Sequence, residues 1–260
     1  MTRAGYYAWR HRGPSARTRQ DATLLEQIQA IFMRSGGTYG SPRIHRALAA
    51  SGVRVSRRRV GRLLRQAGLR ARALKLYRRM PGLHGFFTSI PNRQLDRLAT
   101  APDQIWVGDL TYLKVAAGWQ YLAVVMDRYS RRIIGWSLGA TKDARLTLAA
   151  LNHAVRNRRP HPGVIFHSDR GVEYAAYAFR DRLAALGFVQ SMNRPREITD
   201  NAYMESFFHS MKSDAVHGYT FAAAPDLAQR LRRYMPYYNG VRLHSGIGYA
   251  SPIEYETRTR

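Results

Sequence analysis

The chain has 260 residues, 45% of them hydrophobic, which is enough apolar material for one large domain or two modest ones. It contains no cysteine, so disulfides and thiolate zinc sites are excluded. The formal net charge is +25, no apolar run reaches the length of a membrane span, and the first residues lack a signal-peptide core. These features exclude a membrane protein and predict a cytoplasmic protein whose partner is negatively charged.

The positive charge is concentrated in the first part of the chain. Residues 1–100 contain only three acidic side chains, Asp21, Glu26 and Asp96, among many arginines. Arginine forms forked contacts with phosphate, so this distribution favours nucleic acid as the partner. A GC-rich genome would explain the preference for arginine over lysine, but it would not explain the scarcity of acids.

Three helices are predicted in the first 70 residues. Leu24 and Ile28 belong to an apolar stripe with helical spacing, which ends before a pair of glycines. A second helix is predicted after Ser41, with that serine as its N-cap, and it ends at Gly52. Ser56 is predicted to cap the third helix.

Arginines cluster at the start of that third helix. Two short helices joined by a glycine-containing turn are typical of a helix-turn-helix motif, in which the start of the second helix meets a DNA groove. We therefore predict that Arg57, Arg58, Arg59 and Arg62 contact DNA, although a solvated helix face is the alternative. Residues 1–70 are predicted to form this DNA-binding segment, and residues 71–100 a basic linker.

The pattern changes to strands beyond residue 100. Strands are predicted over 105–115, 121–126, 133–137, 164–167 and 188–191, with helices over 144–157, around 179–186 and around Glu205. Asp200 is a predicted cap of that last helix. Three successive strands followed by alternating helices and strands predict an α/β domain over residues 101–260, with a mixed sheet that is partly antiparallel.

Three acidic residues occupy positions suited to metal binding. Asp109 lies within the first strand, Asp169 directly follows the fourth, and Glu205 lies on a helix. Three carboxylates from neighbouring elements can hold two Mg²⁺ or Mn²⁺ ions about 3.5–4 Å apart, which supports phosphodiester chemistry. Asp127 is a competing acid, and His167 could either orient Asp169 or be a buried core histidine.

The helix of Glu205 presents further polar side chains on the same side. Asn201, Glu205, His209 and Lys212 recur close to helical spacing, so one face offers a carboxylate and also a cation for phosphate. Metal binding and DNA contact are therefore predicted for neighbouring positions of one element.

Several ordered motifs resemble those of one protein family. They are WVGDLTY at residues 106–112, YLAVVMDRYSR at 121–131, HSDRGVEY at 167–174, DNAYMESFFHSMK at 200–212 and YYNGVRLHS at 237–245. YGSPRI at 39–44 and VSRRRVGRLL at 55–64 resemble its N-terminal helix-turn-helix segment. The family is that of the bacterial insertion-sequence transposases related to retroviral integrases, of the second-reading-frame (B) subunit type.

This resemblance implies a ribonuclease-H-like fold that cleaves and joins DNA strands with two divalent metal ions. It implies that Asp109, Asp169 and Glu205 are the catalytic, metal-binding acids, and that Asn201 and Lys212 support the site or touch DNA. It also argues against Asp127 as a principal ligand. The implied partners are the double-stranded DNA of the element ends and target, further copies of the chain when two ends are synapsed, and an upstream-frame protein. The implied location is the bacterial nucleoid.

Two departures from the family pattern accompany the resemblance. The loop over residues 194–199 has no Gly-Asn pair, and relatives usually have a further stretch before residue 5. Two other functions stay open at this point: a DNA-binding copy without catalysis, and a ribonuclease-H-type nuclease.

Overall fold

A computed structural model describes residues 2, 3, 7, 13, 15–71, 90–95, 97–195, 197 and 199–258. The chain divides into two compact units, Met1–Ala73 and Leu74–Arg260. Most of the predicted linker over 71–100 lies outside the described residues, so its boundaries stay a prediction. Within it, the described segment 90–95 belongs to the second unit, where Arg93 N donates to Ser191 Oγ at 2.8 Å. No described helix is both long and apolar enough to cross a membrane.

The first unit contains the three predicted helices. They are α1 (Ala16–Arg34), α2 (Ser41–Ala50) and α3 (Arg57–Gln66). Their inward faces bury Leu24, Ile28, Phe32, Ile44, Leu48, Val60, Leu63 and Leu64. These side chains recur at helical spacing, and their mutual burial holds three helices that would be marginal alone.

One of the two predicted caps in this unit is confirmed. The Ser56 side chain accepts a hydrogen bond from Arg59 N at 3.3 Å and caps α3. The prediction for Ser41 was wrong, because α2 begins one residue earlier than expected. Ile44 N already donates to Gly40 O at 3.1 Å, which makes Gly40 the N-cap and Ser41 the first helical residue.

A five-stranded mixed sheet organises the second unit. The strands are β1 (Ile105–Val115), β2 (Gly118–Asp127), β3 (Ile133–Gly139), β4 (Ile165–Ser168) and β5 (Val189–Met192), in the spatial order β3-β2-β1-β4-β5. The β1–β2 and β2–β3 pairs are antiparallel, whereas β1–β4 and β4–β5 are parallel. The predicted mixed α/β architecture is therefore confirmed, with some strand boundaries shifted by one to three residues.

Helices cover both faces of this sheet. They are α4 (Ala144–Arg158), α5 (Val172–Ala175), α6 (Tyr177–Ala185), α7 (Ala202–Met211), α8 (Ala224–Gly240) and α9 (Pro252–Arg258). A π-helical turn, Lys212–Val216, continues α7. One buried cluster joins Val107 and Val124 to α7 and α8, and the other joins Trp106 and Val125 to α4 and α6. The alternation of side chains along each strand places these two clusters on opposite faces.

The start of α7 differs from the sequence prediction. Asn201 is the N-cap, and the prediction that Asp200 caps this helix was wrong. The Asp200 carboxylate instead accepts from Arg194 N and from Asn92 Nδ2, both at 2.8 Å. Its oxygens are occupied by the preceding loop, which they anchor to the segment before β1.

Candidate active site

Asp109 and Asp169 are brought together by the parallel pairing of β1 with β4. The register pairs Gly108 with Ser168, so Asp109 is the next residue of β1 and Asp169 directly follows β4. Asp109 is 1% exposed, and Asp169 is partly buried. Two distant sequence motifs therefore present carboxylates just beyond the end of the β1–β4 pairing.

Gly108 allows this close packing of the strands. A Cβ atom at Gly108 would lie 2.6 Å from Phe166 Cζ and 3.1 Å from Phe166 Cε1. Any side chain at this position would push the rigid ring of Phe166 away and displace β1 beside Asp109. The glycine of the WVGDLTY motif is thus explained by packing.

Helix α7 brings Glu205 towards the same strand. Asn201 Nδ2 donates to Gly108 O, with an N–O distance of 3.5 Å, and α7 packs on the face of β1 that carries Asp109. Glu205 lies one turn after Asn201, and therefore on the same side of the helix. Asp109 and Asp169 therefore both lie just beyond the β1–β4 pairing, and the helix that carries Glu205 packs on the Asp109 face of β1.

A buried tyrosine reports the charge of this neighbourhood. Burial raises the pKa of Tyr174 well above its ordinary value, and the nearby carboxylates of Asp109, Asp169 and Glu173 raise it further. Three acidic groups therefore act electrostatically on one phenol, which is fully enclosed in the core below them.

Asp127 and His167 have structural partners. Asp127 accepts hydrogen bonds from Asp103 N at 2.7 Å and from Ser130 N and Oγ at 2.9 Å, so it fastens the turn after β2. His167 joins β4 to Ser191 Oγ at 2.9 Å and Asn193 Oδ1 at 2.8 Å. Burial lowers the pKa of His167 to about 4 and keeps the ring neutral at pH 7. Of its two interpretations, the buried core histidine fits these contacts.

The predicted DNA-contacting arginines of the first unit fall into two pairs. Arg57 and Arg58 are exposed at the start of α3. Arg59 Nε and Arg62 Nη2 each lie 2.6 Å from an Asp21 carboxylate oxygen. These hydrogen bonds, first from Arg62 and then from Arg59, lower the pKa of Asp21.

The exposed pair occupies an electrostatically unfavourable position. Cations at a helix N-terminus oppose the helix dipole and typically cost a few tenths to about 1 kcal/mol each. The first turn of α3 contains no acid. A bound phosphate would relieve both unfavourable charges, because helix N-termini and arginine side chains attract anions.

Comparison with known proteins identifies the family. The family described as "Integrase core domain" matches residues 99–197 and, in a second form, residues 186–252, while "HTH-like domain" matches residues 19–77. The transposase for insertion sequence element IS904 from Lactococcus lactis is 34% identical over 95% of this chain and 98% of its own length. Transposase InsF for insertion sequence IS3A from Escherichia coli is 36% identical over 99% of this chain and 91% of its own length. This chain belongs to the insertion-sequence transposases with an integrase core domain.

A solved structure shows the fold of this transposase family at greater distance. A chain of the simian T-cell lymphotropic virus intasome, solved in complex with the PP2A regulatory subunit B56 gamma, matches with a TM-score of 0.53 at 18% identity. The match covers 84% of this chain and 74% of that chain. The predicted family and the predicted ribonuclease-H-like fold, preceded by a helix-turn-helix segment, are both confirmed.

The carboxylate and amide oxygens in this region of the transposase core suit a hard divalent cation. Integrase core domains use divalent metals, and carboxylate and amide oxygens are the ligands that such ions prefer. Two buried acceptors in this region, Glu173 Oε2 and Asn201 Oδ1, have no hydrogen-bond partner among the described residues. Among those residues, no three acidic or histidine side chains lie close enough together to form a complete metal-binding site. The residues therefore fit a metal by their chemistry, in an arrangement that a bound ion would have to tighten.

Glu173 and Lys142 are additional residues near this site that the sequence prediction missed. Glu173 is 3% exposed, and its Oε1 lies 3.2 Å from Lys142 Nζ. A Cβ atom at Gly171 would lie 2.5 Å from Glu173 Oε1 and 3.0 Å from Asp169 Oδ1, so both carboxylates approach this glycine closely. Glu173 lies inside the HSDRGVEY motif, which could have drawn attention to it, but no signal in the sequence pairs it with Lys142.

Proposed function

We propose that this chain is the catalytic subunit of an insertion-sequence transposase and that Asp109, Asp169 and Glu205 are its catalytic, metal-binding residues. The observation that supports the proposal is that Asp109 and Asp169 directly follow the last paired residues of β1 and β4, while α7, which carries Glu205, packs on the Asp109 face. Mg²⁺ or Mn²⁺ is the proposed cofactor, with two ions, because every donor in this set is a hard oxygen.

The proposed reaction is hydrolysis of one phosphodiester by water, which frees a 3′-hydroxyl, followed by attack of that hydroxyl on a target phosphodiester, which releases the target strand's own 3′-oxygen as a hydroxyl. When bound, the divalent ions supply activation of the attacking oxygen and neutralisation of charge on the phosphate and leaving oxygen. The chain contributes the rigid placement of the carboxylates. Burial of Asp109 within the central strand β1 limits its movement, which favours a single productive geometry.

Asn201 and Lys212 have supporting roles in this proposal. Asn201 connects the start of α7 to Gly108, and thereby sets the distance between Glu205 and β1. Lys212 follows α7, and its ammonium group lies 4.9 Å from the centre of the Tyr112 ring, at the β1 edge of the site. A cation at this position suits a DNA phosphate next to the reacting one.

DNA binding is proposed for the first unit, in particular for the start of α3. Arg57 and Arg58 project into solvent, whereas Arg59 and Arg62 are held by Asp21. The first pair suits direct phosphate contact. The second pair suits orientation of the helix, and would contact DNA only while also bonded to Asp21. The proposed organisation remains a DNA-binding segment over 1–70, a basic linker over 71–100 and a catalytic core over 101–260.

The proposed partners follow from the reaction. The substrates are double-stranded element ends and a target duplex, and holding two ends at once calls for more than one copy of the chain. An upstream-frame partner protein is part of the same proposal, since helper recognition of the ends would complement α3. A chromosomal substrate places the reaction at the bacterial nucleoid.

The test is divalent-metal-dependent nicking and strand transfer on DNA carrying the element's own ends. Wild type is compared with Glu205→Gln, Asp109→Asn and Asp169→Asn, and with Glu254→Gln as a control for loss of an acid on α9. We expect product from wild type and the control only, with DNA binding retained by all five proteins. Activity in any of the three site variants would refute the site, and metal-independent cleavage would refute the mechanism.

A further inference from the structure

Two large aromatic side chains are exposed side by side on the β1–β2 hairpin. Tyr112 is 58% exposed and Trp119 52%, and their ring centres lie 5.2 Å apart at an interplanar angle of 84°. The register pairs Tyr112 with Tyr121 and Trp119 with Lys114, so the two rings project from one face of the sheet. A folded protein gains from burying such rings, and their joint exposure therefore indicates a contact surface.

Cations accompany this aromatic pair. The Lys212 ammonium lies 4.9 Å from the centre of the Tyr112 ring, and the exposed Lys114 is the cross-strand neighbour of Trp119. A surface that combines flat apolar rings with positive charge is complementary to a nucleobase and its phosphate. The net charge of +25 on the whole chain points to the same class of partner.

The position of the pair connects it to the acids. Tyr112 lies three residues after Asp109 on β1, a separation of about 10 Å along an extended strand. The pairing of β1 with β4 ends at Gly108 and Ser168, so Asp109 and Tyr112 both lie beyond the part of β1 that pairs with β4. Lys212 approaches from the helix on the Asp109 face but reaches the Tyr112 ring on the opposite face, so the two faces meet at this edge of β1.

We infer that Tyr112 and Trp119 form a stacking platform in which an unpaired DNA base, next to the phosphodiester handled at Asp109, stacks on Trp119 while the nearly perpendicular Tyr112 ring borders it. The inference rests on the proposed function for the identity of that phosphodiester. Bases in a duplex are already stacked on their neighbours, so the platform takes a base from a frayed or single-stranded segment. A separation of about 10 Å sets the stacked base within a few nucleotides of the reacting bond.

The test measures DNA binding by the full chain without divalent metal. The probes are a blunt duplex and the same duplex with a short single-stranded extension. We expect wild type to prefer the extended probe, and Tyr112→Ala with Trp119→Ala to lose about fivefold or more of that preference, the lower end of measured base stacking on aromatic side chains. Trp119→Phe retains most of the preference. Tyr177→Ala, which removes an exposed tyrosine of α6, leaves it unchanged.

A spectroscopic measurement supports the same test. A base stacked on Trp119 quenches its fluorescence, so binding of the probe with the single-stranded extension should lower the tryptophan fluorescence of wild type more than that of Trp119→Phe. Unchanged thermal melting of every variant confirms that the fold is intact. Equal probe preference in wild type and the double alanine variant would overturn the inference.

Two further outcomes separate this inference from the proposed function. If the double alanine variant instead loses self-association, measured by sedimentation without DNA, with its probe preference intact, the surface joins copies of the chain and the platform is refuted. Because binding is measured without metal, a chain inactive in nicking can still show the platform. If the chain is active in strand transfer but does not prefer the extended probe, only the stacking platform is refuted and the proposed function is unaffected.

Discussion

Substitution of Gly171 by alanine tests the geometry of the acidic site without removing any of its functional groups. The backbone of Gly171 has φ −67° and ψ 140°, which alanine adopts easily, so we expect the free energy of unfolding to change by no more than about 1 kcal/mol. The new methyl group, however, would lie 2.5 Å from Glu173 Oε1 and 3.0 Å from Asp169 Oδ1. One or both carboxylates must therefore move.

The size of that movement sets the expected loss of activity. Relieving a 2.5 Å contact to ordinary packing distance moves the Glu173 carboxylate by roughly 1 to 1.5 Å. The hydrogen bond from Gly171 N to Asp169 Oδ1, 3.1 Å long, transmits part of this shift to the proposed metal ligand. A misplacement of about 1 Å can cost about 100-fold in rate, so we expect strand cleavage to fall by roughly 10- to 100-fold.

The assay is single-turnover nicking of end-containing DNA, measured beside thermal melting and beside metal-induced changes in melting temperature. Gly240→Ala is the matched control, since its Cβ would meet nothing closer than Ile253 Cδ1 at 3.9 Å. We expect Gly171→Ala to melt like wild type, cleave slowly and require more metal, and the control to behave as wild type in all three. Full activity in Gly171→Ala would refute the reasoning that this glycine sets the carboxylate positions.

Three other predictions concern DNA binding and stability. Replacing Arg57 and Arg58 by alanine should weaken DNA binding and reduce the slope of log affinity against log salt by about 2, as expected for two lost phosphate contacts. An unchanged slope over a salt series would show that these residues belong to an ordinary solvated helix face. Arg62 and Arg59 lower the pKa of Asp21, so the unfolded chain binds this proton at higher pH than the folded chain. The stabilisation from these contacts is therefore complete above the ordinary pKa of 3.8, and it is lost as the pH falls through the lower pKa of the folded state. Thermal melts should therefore show less acid sensitivity in Asp21→Asn than in wild type, and equal sensitivity would contradict this assignment. Arg242→Met should destabilise the second unit by about 3–5 kcal/mol in urea unfolding, because it leaves Asp214, buried and 2.6 Å from Arg242, without its cation; adding Asp214→Leu should restore part of the loss.

The sequence was sufficient where local pattern decides the structure. The strands β1 and β2 and the helices α1, α3 and α4 carry strong periodicities, and their cores lie where the apolar positions predict. The positions of Asp109 and Asp169 relative to strand ends also follow from pattern. That these two strands are neighbours was implied by the family resemblance, because periodicity alone does not specify strand order.

The sequence was insufficient where a side chain chooses between partners far apart in the chain. Asp200 has the residue type and spacing of a helix cap, yet its oxygens bond to Arg194 and Asn92, which come from other segments. Arg59 and Arg62 look identical to their exposed neighbours in a run of arginines. Only the fold shows that a single acid on α1 holds both of them.

The origin of the three acids in separate elements has a consequence for the newly made protein. Asp109 emerges early in the second unit, Asp169 follows only after β2, β3 and α4, and Glu205 only after β5. On the proposed assignment, no fragment that ends before α7 can hold the complete set, and neither can a chain in which β4 has failed to dock beside β1. On this assignment, the ability to cut DNA requires synthesis of the chain through α7 and docking of β4 beside β1, so shorter or misassembled chains lack it.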